Sequence, residues 1–199
     1  LKRVLPLLEA LHREFPEAII SIDTFRSNVA RSCIEAGARM INDVSGGGID
    51  PEIYDVVAEA KVAYILMHMR GTPQTMRNLT HYDDIITEMI DYYTHRLEKL
   101  YQRGVQDIVI DPGIGFAKSI EQNYLLLRNL TYFLELAHPI LIGVSRKSLI
   151  YKPLGVKPVK ALNGTTALHM AALMNGAEIL RVHDVKEARE TITLFNLLR

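Results

Sequence analysis

The chain has 199 residues, of which 48% are hydrophobic and 23% charged, a composition that is ordinary for one globular domain with a substantial core. Its 23 basic residues balance its 23 acidic ones, so no basic field predicts a nucleic acid or a membrane surface as partner, and any anion site must be local. A single cysteine, Cys33, excludes an internal disulfide framework, and no apolar run approaches the roughly 20 residues of a membrane span. We expect one cytoplasmic domain over residues 1–199.

Strand and helix patterns alternate along the whole chain. A helix comes first, with an apolar face made by Val4, Leu5, Leu7, Leu8, Leu11 and Phe15. Apolar strands are predicted at 18–24, 40–44, 62–69, 107–111, 139–144 and 178–183. Helices are predicted near 29–37, 51–60, 82–103, 119–130 and 164–175, and from Asp184 onward, where the spacing to Glu187 imitates a capping box. Helices end at Gly37, Gly104 and Gly176 shortly before a strand, and this repetition indicates a repeated βα unit.

The stretch from Asp107 to Lys118, DIVIDPGIGFAK, has the strongest functional pattern. Its continuous β-branched run predicts a parallel strand that is covered on both faces, with Asp111 at the carboxyl end. Pro112 then breaks the strand, and Ser119 and Gln122 have the spacing of a capping box for the next helix. Ligands of α/β folds bind in such strand-to-helix turns. From this stretch alone, Asp111 could bind a ligand or simply cap the helix.

Polar residues end nearly every predicted strand, and this decides between two α/β architectures. They are Asp23, Asn42, His68, Asp111, Ser145 to Lys147, Arg181 and His183. An open doubly wound sheet could hold the strands, but the Gly-rich dinucleotide fingerprint after its first strand is missing. A ring of strand ends gathers such groups more naturally. We therefore predict a TIM (β/α)₈ barrel, which needs eight strands and about 250 residues. On that view the chain is its last six βα units plus one preceding helix, and the first two strands are absent.

Several motifs at these strand ends carry a resemblance to a known family. In chain order they are SIDTFRSNVAR, MINDVSGG, LMHMRGTPQTM, IDPGIGFAK, LIGVSRKSLI and ILRVHDVKEA. Together they resemble the dihydropteroate synthases of the folate pathway, a sulfonamide target. The resemblance implies a TIM barrel that joins 6-hydroxymethyl-7,8-dihydropterin diphosphate to p-aminobenzoate and releases pyrophosphate with the help of Mg²⁺. It also implies a homodimer formed largely through the last helices.

The resemblance also implies roles for individual residues. Asp23, Asn42, Asp111 and Lys147 would surround the pterin, with Met67 and Phe116 as apolar neighbours, and Asp23, Asp111 and Lys147 would be catalytic. Arg181 and His183 would bind the diphosphate, and Ser148, Phe116 and Lys147 would bind the p-aminobenzoate. No metal ligand is expected within this span, because the family's Asn for Mg²⁺ lies on the first strand. We therefore expect the 199 residues to be a fragment that is inactive alone. Ala117 stands where the family usually has a second loop glycine, a small change that puts little of the resemblance in doubt.

Each residue also has a structural interpretation when it is taken singly. Asp23 could cap its helix, Asn42 could bond its own turn, and Lys147 could be a surface charge. His183 gains weight from Arg181, two positions earlier on the same strand face, whereas His68 is expected to be structural.

Two other functions compete with the synthase interpretation. A pterin-binding methyltransferase would keep the Asp and Asn strand ends but needs no diphosphate site, so the motifs SRKS and RVHD argue against it. A non-catalytic pterin-binding protein would show pterin affinity without turnover.

Overall fold

The computed structural model describes residues 1–72 and 74–198, with all of their side chains except that of Arg77. Among these residues the strands are β1 (Ser21–Asp23), β2 (Met40–Asp43), β3 (Ala63–Met67), β4 (Ile108–Asp111), β5 (Leu141–Ile142) and β6 (Ile179–Leu180). The α-helices are α1 (Leu5–Glu14), α2 (Ser27–Glu35), α3 (Ile53–Ala60), α4 (Ile85–Gln102), α5 (Ile120–Arg128), α6 (Ser148–Tyr151), α7 (Leu162–Met174) and α8 (Val185–Leu197). The prediction of an α/β fold with parallel strands is confirmed.

The chain forms two compact units, and the first contains Leu1–His68 and Tyr92–Val109. Strands β1, β2 and β3 pair in parallel there, with Asp23 opposite Asn42 and Ile41 opposite Tyr64. The next strand begins beside β3, since the N–H of Tyr64 donates to the carbonyl of Asp107 at 2.8 Å. The side chains of Ile41 and Tyr64 are fully buried, as expected for strands covered on both faces. The sheet therefore places the ends of β1 and β2 side by side.

The second unit contains Met69–Asp91 and the chain from Ile110 onward. Ile110 forms a parallel bridge with Ile140, and β5 pairs in parallel with β6. Phe133 and Leu126, from the segment that follows β4, are fully buried in the core. None of the helices in the described residues combines the length and the hydrophobicity that a membrane-spanning helix needs.

All six observed strands are shorter than predicted, and two differences from the predicted elements affect the interpretation. The last strand ends at Leu180, so Arg181 and His183 do not lie on a strand face. The backbone N–H of Arg181 still donates to the carbonyl of Ile142. The backbone N–H of His183 donates instead to the side-chain hydroxyl of Ser145, so the backbone ladder between the two strands does not continue to His183. In α1 only Leu8 is buried, and Phe15, which follows the last helical residue, is 60% exposed.

Candidate functional site

In the first unit, the ends of β1 and β2 bring Asp23 and Asn42 together. The two residues are opposite each other in the parallel register, and the Asn42 amide Nδ2 donates to a carboxylate oxygen of Asp23. Asn42 is 3% exposed, and its Oδ1 has no hydrogen-bond partner among the described residues. A buried acceptor without a donor is unfavourable by about 1–3 kcal/mol, so this oxygen is well suited to accept from a ligand N–H. The amide nitrogen of Asn42 thus reaches across to β1 and does not bond its own turn.

The next residue, Asp43, has a structural role that sequence reasoning missed. Its fully buried carboxylate accepts hydrogen bonds from the Ser45 backbone and hydroxyl, from the Gly47 N–H and from the Tyr64 hydroxyl, all at 2.7–2.8 Å. The turn from Ser45 to Gly48 therefore wraps around an internal carboxylate. This arrangement gives the Gly-rich turn a structural role. The position of Asp43 directly before the Gly-rich turn was the signal in the sequence that could have predicted this role.

Met67 and His68, at the end of β3, are both buried. The carbonyl of Met67 accepts a hydrogen bond from the Tyr92 hydroxyl at 2.9 Å. The His68 ring packs edge to face against Tyr92, with 4.8 Å between ring centroids. These contacts fix the end of the strand and agree with the structural role expected for His68.

In the second unit, Asp111 lies at the carboxyl end of β4 and is only 7% exposed. One carboxylate oxygen accepts from the Gly113 N–H at 2.8 Å. Burial raises the pKa of Asp111, and the Gly113 N–H and the cations Lys147, Lys118 and Arg181 oppose that rise. Asp111 therefore lies among basic groups as a buried acceptor.

The capping alternative for Asp111 is wrong. Helix α5 is capped by Ser119, whose hydroxyl accepts from the Gln122 N–H at 3.2 Å while the Gln122 side chain accepts from the Ser119 N–H at 2.8 Å. The capping box predicted from the sequence is confirmed, and it leaves Asp111 free of that task.

Two lysines hold the loop between β4 and α5. Lys147 Nζ donates to the Ile114 carbonyl at 2.7 Å and lies 5.1 Å from the centroid of the Phe116 ring. Lys118 Nζ donates to the carbonyls of Gly113 and Phe116 at 3.2 and 3.0 Å. Burial lowers the pKa of both ammonium groups, that of Lys118 to about 7. Lys147 is thus partly buried and hydrogen-bonded. Sequence reasoning missed Lys118, and the available signal for it was its position between the loop and the capping box.

Arg181 lies near Lys147, beyond the ends of the paired strands β5 and β6. A Cβ placed on Gly143, which follows β5, would lie 3.7 Å from both the Arg181 Cβ and the Lys147 Nζ. The second unit therefore brings together Asp111, Phe116, Lys118, Lys147 and Arg181, which we call the Asp111 cluster.

The other two predicted anion ligands of this unit, His183 and Ser148, lie beyond the ends of β6 and β5. His183 is exposed two residues beyond Arg181, and Ser148 opens helix α6 with Lys147 as its N-cap. Within the described residues, no group of three His, Cys, Asp or Glu side chains could hold a metal ion.

Comparisons with known proteins show the family of the chain. Residues 1–183 match the family described as pterin binding enzyme. The chain is 47% identical to the dihydropteroate synthase of Synechocystis, covering 94% of this chain and 65% of that protein. It is 39% identical to the dihydropteroate synthase of Escherichia coli, covering 96% and 68%. The chain thus spans about two thirds of the length of these relatives.

Solved structures of high similarity come from the same family. The Yersinia pestis dihydropteroate synthase with a sulfonamide drug is 35% identical with a TM-score of 0.96, over 100% of this chain and 73% of that one. The Thermus thermophilus dihydropteroate synthase in complex with 6HMPPP is 36% identical with a TM-score of 0.94, over 99% and 78%. The chain belongs to the pterin-binding enzyme family and, within it, to the dihydropteroate synthases.

Proposed function

We propose that the protein containing this chain condenses 6-hydroxymethyl-7,8-dihydropterin diphosphate with p-aminobenzoate to give 7,8-dihydropteroate and pyrophosphate. The observation that carries the proposal is the Asp111 cluster, in which a buried carboxylate lies among the basic side chains of Lys118, Lys147 and Arg181. A pterin presents adjacent N–H donors and a carbonyl along its aminopyrimidinone edge. A carboxylate can accept from two of those donors, and an ammonium such as that of Lys147 can donate to the ring acceptors.

The rest of the cluster suits the other two substrate groups. Arg181 supplies a permanent positive charge for the diphosphate, and His183, two residues later, is the second proposed ligand. The Phe116 ring, with the Lys147 ammonium near its face, offers an apolar surface and a cation for an aromatic carboxylate. Ser148 is proposed to help hold that carboxylate.

In the first unit, Asp23, Asn42 and Met67 are proposed as further pterin contacts. The support is the buried Asn42 Oδ1, which lacks a donor among the described residues and could accept from a ring N–H. Asp23, at the end of β1, would favour positive charge that develops on the pterin.

The proposed reaction is a substitution at the methylene carbon of the pterin. The C–O bond to the diphosphate breaks with its electron pair leaving on oxygen, and Arg181 stabilises the departing charge. The arylamine nitrogen then forms the new C–N bond and loses a proton. An arylamine is already neutral at pH 7, so positioning supplies much of the rate. Mg²⁺ is implied only by the family resemblance. The described residues include no cluster of His, Cys, Asp or Glu side chains that could hold it.

Two features of the architecture remain proposals. We propose that the parallel strands belong to one (β/α)₈ barrel domain, supported by the high TM-scores over nearly the whole chain. We also propose a homodimer formed through the last helices, supported by the exposure of Leu194 and Leu197 on α8 (58% and 78%). Sedimentation of the wild type and of Leu197→Glu tests the second proposal, since the substitution should give a monomer.

The test of function is a turnover assay on the whole gene product that contains these residues. Purified protein is incubated with both substrates, and dihydropteroate and pyrophosphate are measured. The wild type and the control Asp83→Asn, an exposed carboxylate of the same unit, should form product, whereas Asp111→Asn should lose at least tenfold in kcat/KM. Pterin binding without product would support a binding protein, and methyl transfer from methyltetrahydrofolate would support the methyltransferase.

A further inference from the structure

Arg146 and Asp184 join the two loops that carry the proposed anion ligands. Arg146 precedes Lys147 and Ser148 after β5, and Asp184 follows Arg181 and His183 after β6. The Arg146 Nε donates to one oxygen of Asp184 at 2.8 Å, and its Nη2 donates to the other at 2.7 Å. This two-point geometry fixes orientation as well as distance. Both side chains are about one-fifth exposed (22% and 19%).

Further bonds anchor Arg146 to a third segment of the same unit. Its Nη1 donates to the carbonyls of Val159 and Pro158. Its backbone N–H donates to the Thr165 hydroxyl at 3.0 Å, and that hydroxyl donates in turn to the Ala161 carbonyl at 2.8 Å. One arginine therefore ties together the β5 loop, the β6 loop and the segment that leads into α7.

The backbone at Arg146 is in an uncommon conformation. Its φ is +52°, in the left-handed region that side chains other than glycine rarely adopt. Such a conformation persists only where the surrounding contacts determine it, and it is found most often at functional sites. The turn it makes directly precedes Lys147, so the contacts of Arg146 also set the direction in which the chain runs into Lys147, the N-cap residue of α6.

The use of Asp184 differs from what its sequence position predicts. Asp184 is the N-cap residue of α8, but its side chain makes no capping hydrogen bond, so the predicted capping box with Glu187 is wrong. The carboxylate is bound to Arg146 instead. The adjacent guanidinium lowers the pKa of Asp184, and the pair therefore stays ionised at neutral pH.

These contacts also argue against Arg146 as a diphosphate ligand. A guanidinium that is paired with a carboxylate on two of its nitrogens, and with backbone carbonyls on the third, has its charge compensated within the protein. An incoming anion would have to displace Asp184.

We propose that Arg146 is a positioning residue of the transfer site, whose pair with Asp184 holds the loop of Lys147 and Ser148 in register with the loop of Arg181 and His183. This inference rests on the proposed function. The carboxylate end of the arylamine and the diphosphate would then be bound at a fixed separation, which keeps the attacking nitrogen close to the methylene carbon when the diphosphate departs.

The test is a double-mutant cycle in the whole gene product, with kcat and KM measured for both substrates. The variants are Arg146→Ala, Asp184→Asn and the double variant, with Arg146→Lys to keep the charge without the two-point geometry. The matched control is Lys186→Ala, which removes an exposed ion pair with Glu190 on α8. Urea unfolding of each variant separates loss of folding from loss of positioning.

If Arg146 positions the loops, Arg146→Ala and Asp184→Asn each lower kcat/KM by up to about 100-fold. The double variant is then no worse than either single one, Arg146→Lys does not rescue activity, and Lys186→Ala behaves as the wild type. If Arg146 binds the diphosphate directly, Asp184→Asn frees its guanidinium and leaves or lowers the KM for the pterin diphosphate, which would overturn the inference. Additive losses in the double variant would overturn it as well. A wild type that forms no dihydropteroate would refute the proposed function instead.

Discussion

The buried ammonium of Lys118 predicts a pH dependence of stability. Lys118 is 8% exposed, and burial lowers its pKa from 10.5 to about 7. A fall of that size corresponds to roughly 5 kcal/mol of unfavourable free energy for the charged form in the folded protein. The test substitution is Lys118→Met, which keeps most of the side-chain volume and removes the charge.

The sign follows from proton binding in the two states. Between pH 7 and 10.5 the unfolded chain binds more protons at this lysine than the folded chain does, so the free energy of unfolding rises with pH. The full penalty is present below pH 7, and it disappears as pH rises to 10.5. For these two pKa values, the free energy of unfolding should increase by about 2 kcal/mol between pH 7 and pH 9. Lys118→Met should lack that increase.

The assay is urea unfolding at pH 7, 8 and 9, with the free energy of unfolding of the variant subtracted from that of the wild type. The subtraction removes the contribution of groups common to both, such as Cys33, whose pKa burial raises. The control is Lys152→Met, which alters an exposed lysine of the same unit and should keep the pH dependence of the wild type. Parallel curves for Lys118→Met and the wild type would refute the account of Lys118.

Three further substitutions test local structure. A Cβ on Gly46 would lie 2.1 Å from the Tyr92 hydroxyl at a φ of +54°, so Gly46→Ala should lower the free energy of unfolding by about 2–4 kcal/mol. Gly104→Ala, at a φ of +80° but with nothing within 4 Å, should lower it by only about 1–2 kcal/mol, and equal losses would contradict the steric argument. Ser119→Ala removes the capping box of α5 and should lower the thermal midpoint, as a loss of about 1 kcal/mol does; an unchanged midpoint would show that the cap contributes nothing.

Local rules in the sequence predicted much of this fold. Helices commonly end at a residue with a positive φ, and glycine adopts that conformation most readily, so Gly37, Gly104 and Gly176 predicted helix ends. Their φ values are +106°, +80° and +101°. The capping box of α5 involves residues three positions apart, so its spacing is visible in the sequence.

Contacts between distant loops could not be predicted in the same way. Arg146 and Asp184 are 38 positions apart, and local spacing favoured a cap for Asp184. Nothing in the local sequence marks Lys118 as a buried residue, because its burial depends on carbonyls that converge only when the loop folds. The predicted last strand is too long because the apolar pattern does not show that the backbone N–H of His183 bonds to a side chain.

The central claim is that the buried Asp111 carboxylate accepts the N–H donors of a pterin. The most direct measurement is an equilibrium titration of the whole gene product with a 6-hydroxymethylpterin, comparing the wild type with Asp111→Asn. An amide would turn a donor toward the donors of the ligand, and hydrogen bonds to a charged group contribute about 1.5–3 kcal/mol. We predict that the Kd rises by about tenfold to a hundredfold, with Asp83→Asn unchanged. An equal Kd for Asp111→Asn and the wild type would contradict the claim.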